Sequence, residues 1–289
     1  MCAYPAPDDD ALLVRFWGVR GSVPVSGPDH LVFGGNTACV EIRCGGKQFI
    51  VDAGTGLIEL GLAMKHEAST DDIEILLSHL HLDHVMGLPF FKPALMTGRT
   101  IRLSCGNLGG GTAEKPLERL FSPPIFPVTL AQLPAKITYS GFKAGETLTF
   151  EPGLSVRTCP LQHPSGATAY RFDNGGRSVC YVSDLEHCEG WPPADLLSFV
   201  EHADLVIYDA MFCETEYNKC RGWGHSTIAA GVELCRLAGV KQLAAYHLSP
   251  FHDDAALSAM EAKLVKAMPG SFIARQGQVL TFAPACVPA

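Results

Sequence analysis

Three imidazoles and a carboxylate fall within six consecutive positions of this chain: His79, His81, Asp83 and His84, in the run Leu77-Ser78-His79-Leu80-His81-Leu82-Asp83-His84. The run follows the apolar stretch Ile73-Glu74-Ile75-Leu76-Leu77, where a buried strand should end. Residues two apart on extended backbone share a side, so His79 and His81 are expected to point the same way. Asp83 and His84 fall where the chain should leave the strand and turn toward Met86-Gly87-Leu88-Pro89. Nitrogen and oxygen donors in this combination suit a borderline divalent cation such as zinc. Any one of these histidines could be an ordinary surface or core residue. Packing has no use for four adjacent polar groups at the end of a buried strand.

If the run starts a site, further donors should stand at later strand ends. His163 follows Val156 to Gln162, Asp184 follows Ser178 to Ser183, and His247 follows Leu243 to Tyr246, each an apolar, β-like stretch. Counting donors gives His79, His81 and His163 to one ion and Asp83, His84 and His247 to a second, with Asp184 suited to bridge them. Two divalent ions about 3.5–4 Å apart activate a bridging water and clamp the entering and leaving oxygens, which is hydrolytic chemistry. His225, in the loop Gly222-Trp223-Gly224-His225-Ser226-Thr227, and Asp209, ending Leu205 to Tyr208, form a candidate proton-handling pair. Asp83 is counted in both the metal and the catalytic sets. Asp52 either caps a following helix or accepts a hydrogen bond from a ligand histidine.

The elements that must position these residues alternate along the chain. Strands are expected at Leu12 to Val19, Ala38 to Arg43, Gln48 to Val51 and Ile73 to Ser78, with a helix from about Gly54 to Glu67. A second β-rich block, Ile137 to Ser183, includes strands at Leu154 to Thr158, Ala167 to Phe172 and Arg177 to Val182. Helices follow at Leu196 to His202, Thr227 to Leu237 and Asp254 to Lys266, interleaved with strands Leu205 to Tyr208 and Gln242 to Tyr246. A short strand pair near Phe272 and Val279 closes the chain. Two β-rich halves, each followed by helices, suggest an α/β (α+β) fold of four layers, with 1–289 as a single domain. The Gly- and Pro-rich region from Cys105 to Pro134 reads either as a rim or lid of the site or as a buried anchor. Gly34-Gly35-Asn36-Thr37 could offer backbone N–H donors to a phosphate.

Composition narrows the partners. With 289 residues, 47% hydrophobic and 18% charged, the chain can bury a sizeable core. A net charge of −8 argues against an extended nucleic-acid surface. No secretion signal or membrane-spanning run is apparent, and the eleven cysteines are odd in number and scattered, so reduced thiols and a cytoplasmic location are expected. Cys213 and Cys220 flank a short loop without the CxxC spacing of a second metal site. Oligomeric state is open, a homodimer being one option.

The ordered set Asp52, HxHxDH at His79 to His84, His163, Asp184 and His247 resembles the metallo-β-lactamase superfamily over almost the whole chain. The resemblance implies an αββα sandwich with a dinuclear metal site at one edge; zinc is the first choice, manganese or iron the alternatives. Within the superfamily the chain looks like the phosphodiesterase branch that includes ribonuclease Z and cyclic-phosphate hydrolases. Gly18-Val19-Arg20-Gly21-Ser22-Val23-Pro24 looks like that branch's N-terminal turn, and Tyr246-His247-Leu248-Ser249-Pro250 like its final ligand segment. Gly224-His225-Ser226-Thr227 looks like its HST element, whose histidine donates a proton; Asp209 stands where the orienting acid is expected, one methylene shorter. Ribonuclease Z has a basic arm between its third and fourth metal motifs, whereas here His163 and Asp184 lie 21 positions apart around an expected hairpin. The expectation is therefore a small phosphodiester, a cyclic nucleotide or cyclic phosphate, cleaved by metal-bridged hydroxide with His225 as general acid. A lactone, thioester or lactam hydrolase on the same metals, and a non-hydrolytic di-iron redox or oxygen-sensing protein, are the alternatives.

Overall fold

Apolar runs punctuated by glycine and turn residues become the strands of this protein, whose computed structural model describes residues 11–64, 72–150 and 153–285. In chain order the strands are β1 (Leu12–Gly18), β2 (Cys39–Cys44), β3 (Lys47–Val51), β4 (Ile73–Leu77), β5 (Thr100–Cys105), β6 (Lys136–Gly141) and β7 (Thr147–Phe150). They continue with β8 (Leu154–Leu161), β9 (Ala167–Asn174), β10 (Arg177–Val182), β11 (Leu205–Asp209), β12 (Gln242–Tyr246), β13 (Phe272–Ile273) and β14 (Val279–Phe282). The helices are α1 (Gly56–Met64), α2 (Glu114–Leu120), α3 (Ala194–Val200), α4 (Glu214–Tyr217), α5 (Ile228–Leu237) and α6 (Asp254–Ala267).

These strands form two seven-stranded sheets, ordered β14-β1-β2-β3-β4-β5-β6 and β13-β12-β11-β10-β9-β8-β7. β4, β11 and β12 are apolar throughout or nearly so and are buried on both faces, as central parallel strands should be. One core cluster joins the inner faces, from Phe16, Val40 and Phe49 to Phe172, Val179 and Ile207. A second covers the outer face of the first sheet with Leu57, Leu60 and Phe91. α1 packs on β1 and β2, while α3, α5 and α6 cover the second sheet. The expected α/β arrangement, an αββα sandwich, is what forms.

Several local expectations change. The extension of α1 to Glu67 lies outside the described residues. The second β-rich block does not belong to one sheet: β6 lies at the edge of the first, beside β5, which the sequence pattern did not single out. The closing strands do not pair with each other. β13 lies parallel to β12, whereas β14 crosses to the first sheet and runs antiparallel to β1. The turn between them is held by Gly277 N–H donating to Phe16 O at 2.7 Å. The region from Cys105 to Pro134 combines both expected roles: Ala113, Leu117, Phe121 and Leu130 are buried as anchors, while most of the segment, Ile125 included, is exposed.

Four tyrosines fix the second sheet to the segments that will carry the site. Each is fully buried on its own strand. Tyr170 donates to Leu77 O at 2.7 Å, Tyr181 to Asp52 Oδ2 at 2.7 Å and Tyr246 to Gly18 O at 2.8 Å, all across the sandwich. Tyr208 shares a 2.7 Å hydrogen bond with Ser226 Oγ. A buried hydroxyl must find a partner, and these partners lie at one edge. Tyr170→Phe keeps the ring and removes one such bond. Urea unfolding should show a loss of about 1 kcal/mol, and an unchanged midpoint would mean the bond contributes nothing.

Candidate metal centre

Strand polarity brings distant residues together. β10, β11 and β12 run parallel, with Val182 opposite Tyr208 and Tyr208 opposite Ala245, so their C-terminal ends are level. Asp184 lies just past β10, Asp209 closes β11, and His247 follows β12 directly. β3 and β4 are also parallel, Val51 opposite Leu76, which sets Asp52 beside Ser78. Beyond β4 the chain does not stay extended. Leu82–His84 forms one 3₁₀ turn, with His84 N–H donating to His81 O at 3.0 Å. His79 and His81 precede that turn, His81 with extended backbone, and their rings converge 4.3 Å apart on one side, as expected for residues two apart.

Two clusters of donors result. In the first, His163 Nε2 lies 3.1 Å from His81 Nδ1, with His79 beside them. In the second, His247 Nε2 lies 3.1 Å from Asp83 Oδ2 and 3.2 Å from His84 Nε2. Asp184 faces both. Its Oδ1 is 3.8 and 3.9 Å from Nε2 of His79 and His163, and 3.3 Å from that of His247, while Oδ2 is 3.3 Å from His84 Nε2. The arrangement is suited to two metal ions. His79 Nε2 is buried without a hydrogen-bond partner, and imidazole nitrogens of neighbouring ligands face one another at contact distance. Cations satisfy such lone pairs where a shared proton cannot satisfy them all.

The electrostatics divide the donors into two sets. Burial holds His79, His81 and His163 below the ordinary imidazole range, toward the neutral form a metal requires. At His84 and His247 burial acts the same way but is outweighed, first by Asp184 in each case; His84 is held well above its ordinary value and His247 is raised to about 9. Burial opposes the ionisation of Asp83 and Asp184, yet His84 and His247 outweigh it and keep both below the usual carboxylate range. Both carboxylates are thus available as anionic donors.

Surrounding groups aim the donors. Asp52 Oδ2 lies 2.8 Å from His84 Nδ1, which leaves Nε2 for the centre, and Asp52 also accepts from Ser78 N and Tyr181 OH at 2.7 Å. His163 Nδ1 is held by Gly224 O at 2.7 Å. Two contributors carry no signal as donor side chains. Ser22 N–H donates to Asp83 Oδ2 at 2.7 Å, and a Cβ on Gly21 would overlap His247 Nδ1. Glu186 holds the loop before His225 by accepting from Gly222 N and Gly224 N at 2.7 and 3.0 Å. The Gly18-to-Pro24 turn was visible in the sequence as a candidate site loop; Glu186 was not.

His225 stands at the mouth of the centre, its Nδ1 2.8 Å from Asp209 Oδ2. The shorter acid does reach. Within Gly224–Thr227 every residue is engaged: Ser226 Oγ also meets His187 Nδ1 at 2.8 Å, and Thr227 caps α5 by accepting from Ala230 N. Asp209 and His225 lie close enough to Asp184 and His247 to form a further donor group. By contrast, Gly35 N and Asn36 N donate to Gln276 Oε1 and Thr37 N to Thr55 Oγ1, so these three N–H groups are not open to a phosphate. Cys213 and Cys220 belong to none of the donor groups among the described residues; Cys220 packs beside the Met211, Phe212 and Tyr217 cluster.

An αββα sandwich with a His/Asp cluster suited to two ions at the strand ends defines a class, the metal-dependent hydrolases of the metallo-β-lactamase fold. The family model for the beta-lactamase superfamily domain matches residues 47–248, and the chain belongs to that superfamily. Ribonuclease Z of Bradyrhizobium diazoefficiens is 23% identical over 87% of this chain and 94% of its own length. Among solved structures, the metallo-beta-lactamase fold protein YhfI from Bacillus subtilis has a TM-score of 0.69 at 20% identity, covering 94% of this chain and all (100%) of that one. The short form of human tRNase Z has a TM-score of 0.64 at 19% identity, covering 95% and 100%. These relatives fit the phosphodiesterase branch of the fold. No helix among the described residues is long and apolar enough to cross a membrane.

Gly21→Ala tests how closely the N-terminal turn and His247 depend on each other. The added methyl must displace the imidazole, so metal bound per chain after zinc loading should fall from about two ions toward one, with the far-UV CD spectrum retained. Full metal content in that variant would show that the contact relaxes without consequence.

Proposed function

We propose that this metal-dependent hydrolase of the phosphodiesterase type acts on a small phosphodiester. His79, His81 and His163 would hold one ion, Asp83, His84 and His247 the second, and Asp184 would bridge them. Zinc is our first assignment, because imidazole-rich sites with few carboxylates suit it. When bound, two such ions neutralise phosphate charge and make water a nucleophile at neutral pH. The chain's own contribution to bond breaking rests on one observation, the 2.8 Å contact between His225 Nδ1 and Asp209. A carboxylate behind Nδ1 stabilises the imidazolium and leaves Nε2–H to protonate the departing alkoxide. An alkoxide leaving phosphorus needs such a donor, but so do the alkoxide of a lactone and the nitrogen of a lactam, so the dyad supports acid-assisted hydrolysis over the di-iron reading, and the preference for a phosphodiester is supported by the ribonuclease Z relatives.

A small substrate is supported by the hairpin that spans His163 to Asp184. β9 and β10 are joined through Gly175 and Gly176, leaving no protruding arm for gripping RNA. The named activity of the ribonuclease Z relatives makes RNA the substrate to test against. Zinc- or manganese-loaded protein should cleave bis(p-nitrophenyl) phosphate and lose that activity on chelation. A panel of cyclic nucleotides, linear phosphodiesters and a 3′-extended tRNA should show turnover on the small compounds only; efficient tRNA cleavage would overturn the small-substrate reading. His225→Ala, assayed on a cyclic nucleotide whose leaving group is an alkoxide, should lower kcat by about 10²–10⁴-fold while metal content, measured on the same sample, stays constant. Unchanged turnover with metal retained would remove His225 from the mechanism.

A further inference from the structure

An apolar pocket opens beside the metal centre. It has a volume of about 320 Å³, with Pro24, Ile58, Leu82, Phe90 and Phe126 in its lining and Ile125 exposed among them. Leu82 is the residue between His81 and Asp83, one from each donor cluster. Pro24 lies two positions after Ser22, whose N–H holds Asp83. Pocket and centre are thus built on the same two backbone segments.

The wall is preformed. Phe126 meets Phe121 and Phe90 edge-on, with ring centroids 5.6 and 5.8 Å apart. Leu82, Phe90 and Ile125 nevertheless expose 49%, 55% and 72% of their surface, an apolar patch that includes the residue between His81 and Asp83. No charged residue is in the lining, and its single hydroxyl is already used: Thr55 Oγ1 accepts from Thr37 N at 2.8 Å and meets Asn36 Oδ1 at 3.0 Å. Such a surface recognises by contact area and reads no hydrogen-bonding pattern.

We infer that this pocket seats an uncharged aromatic substituent of the phosphodiester. The inference rests on the phosphodiesterase reading and narrows its substrate class to aryl or base-bearing esters. A nucleobase would be held by its ring, with its polar edges unread, so selection among bases would be weak.

The test is a series of p-nitrophenyl phosphodiesters whose second alcohol is methanol, butanol or phenol, assayed with the metal-loaded enzyme. The ratio of kcat/KM for the phenyl ester to that for the methyl ester should be about tenfold. Ile125→Asp and Phe90→Ala should each lower that ratio severalfold; the uncharged Phe90→Ala separates lost contact from charge repulsion. Leu237→Ser, exposed at the end of α5 under the other sheet, serves as the control and should keep the ratio. No hydrolysis of any ester would refute the phosphodiesterase reading itself. Hydrolysis in which neither pocket variant lowers kcat/KM for any ester would overturn this inference alone, whereas a flat series that both variants lower throughout would mean that the p-nitrophenyl ring itself is seated. Sedimentation of the same samples covers the other occupant: if Ile125→Asp turns a dimer into a monomer while the ratio stands, the pocket is a contact between copies and the inference falls.

Discussion

One buried carboxylate ties the sandwich to its chemistry. Asp52 follows β3 in the first sheet with no surface exposed, and a charge so buried must be matched by hydrogen-bond donors. Ser78 supplies its N–H and hydroxyl at 2.7 and 2.8 Å, Tyr181 reaches across from the second sheet at 2.7 Å, and His84 Nδ1 completes the set at 2.8 Å. The same contacts do two things. They make the buried charge tolerable, and they turn His84 Nε2 toward Asp184 and His247. A one-residue slip of β10 would point Tyr181 to the other face and leave Asp52 short of a donor. The register of the second sheet and the orientation of a candidate metal ligand are therefore one constraint.

The backbone bears part of the cost. Asp52, Asp184 and His247 have φ of 63°, 65° and 56°, and Ser22, whose N–H holds Asp83, has 65°. Left-handed backbone at a non-glycine residue costs about 1–2 kcal/mol, and four such residues around one centre mean that the surroundings over-determine their positions. Arg20 is one such support. Its guanidinium is fully buried and donates to Gly34 O, Ser249 O and His252 O at 2.8, 3.0 and 2.7 Å. It thereby clamps the N-terminal turn, with Gly21 and Ser22, to the loop that leaves His247. Burial lowers the Arg20 pKa, but the carbonyls give its charge the partners that water would otherwise provide.

Much of the donor set was legible in the sequence because each member is a polar residue set against an apolar run, a contrast that a single chain displays directly. Strand bounds around His163, Asp184, Asp209 and His247 fell within a few residues for the same reason. His79 and His81 point the same way although β4 ends at Leu77, because His81 still has extended backbone and their rings meet at 4.3 Å. The split of β13 and β14 between sheets was hidden, since two short strands joined by Gly277 pattern like a hairpin. The roles of Gly21 and Ser22 were hidden more deeply. One acts by lacking a side chain and the other through its backbone N–H, and neither property leaves a pattern in residue types.

What separates His225 from the other imidazoles is a combination, because no single feature does it. Holding one ring nitrogen and freeing the other is common to His163, His84 and His225, held by Gly224 O, Asp52 and Asp209 respectively. At His163 burial outweighs the opposite pull of the Gly224 carbonyl and favours a neutral ring, which is what ligation needs. A carboxylate favours the imidazolium, but at His84 that ring has no side-chain exposure and could not exchange a proton with solvent. His225 has a carboxylate partner and a side chain 11% exposed, stacked at 4.9 Å on His247 at the edge of the centre. Its separation of 3.9 Å from Asp184 Oδ1, against 2.8 Å from Asp209, places the held nitrogen with the acid behind it and not with the bridging carboxylate. In the mechanism we propose, a histidine so placed would act beside the donors that would carry the metals without being one of them, and its contact with Asp209 supports that proton-donor role over that of an eighth ligand.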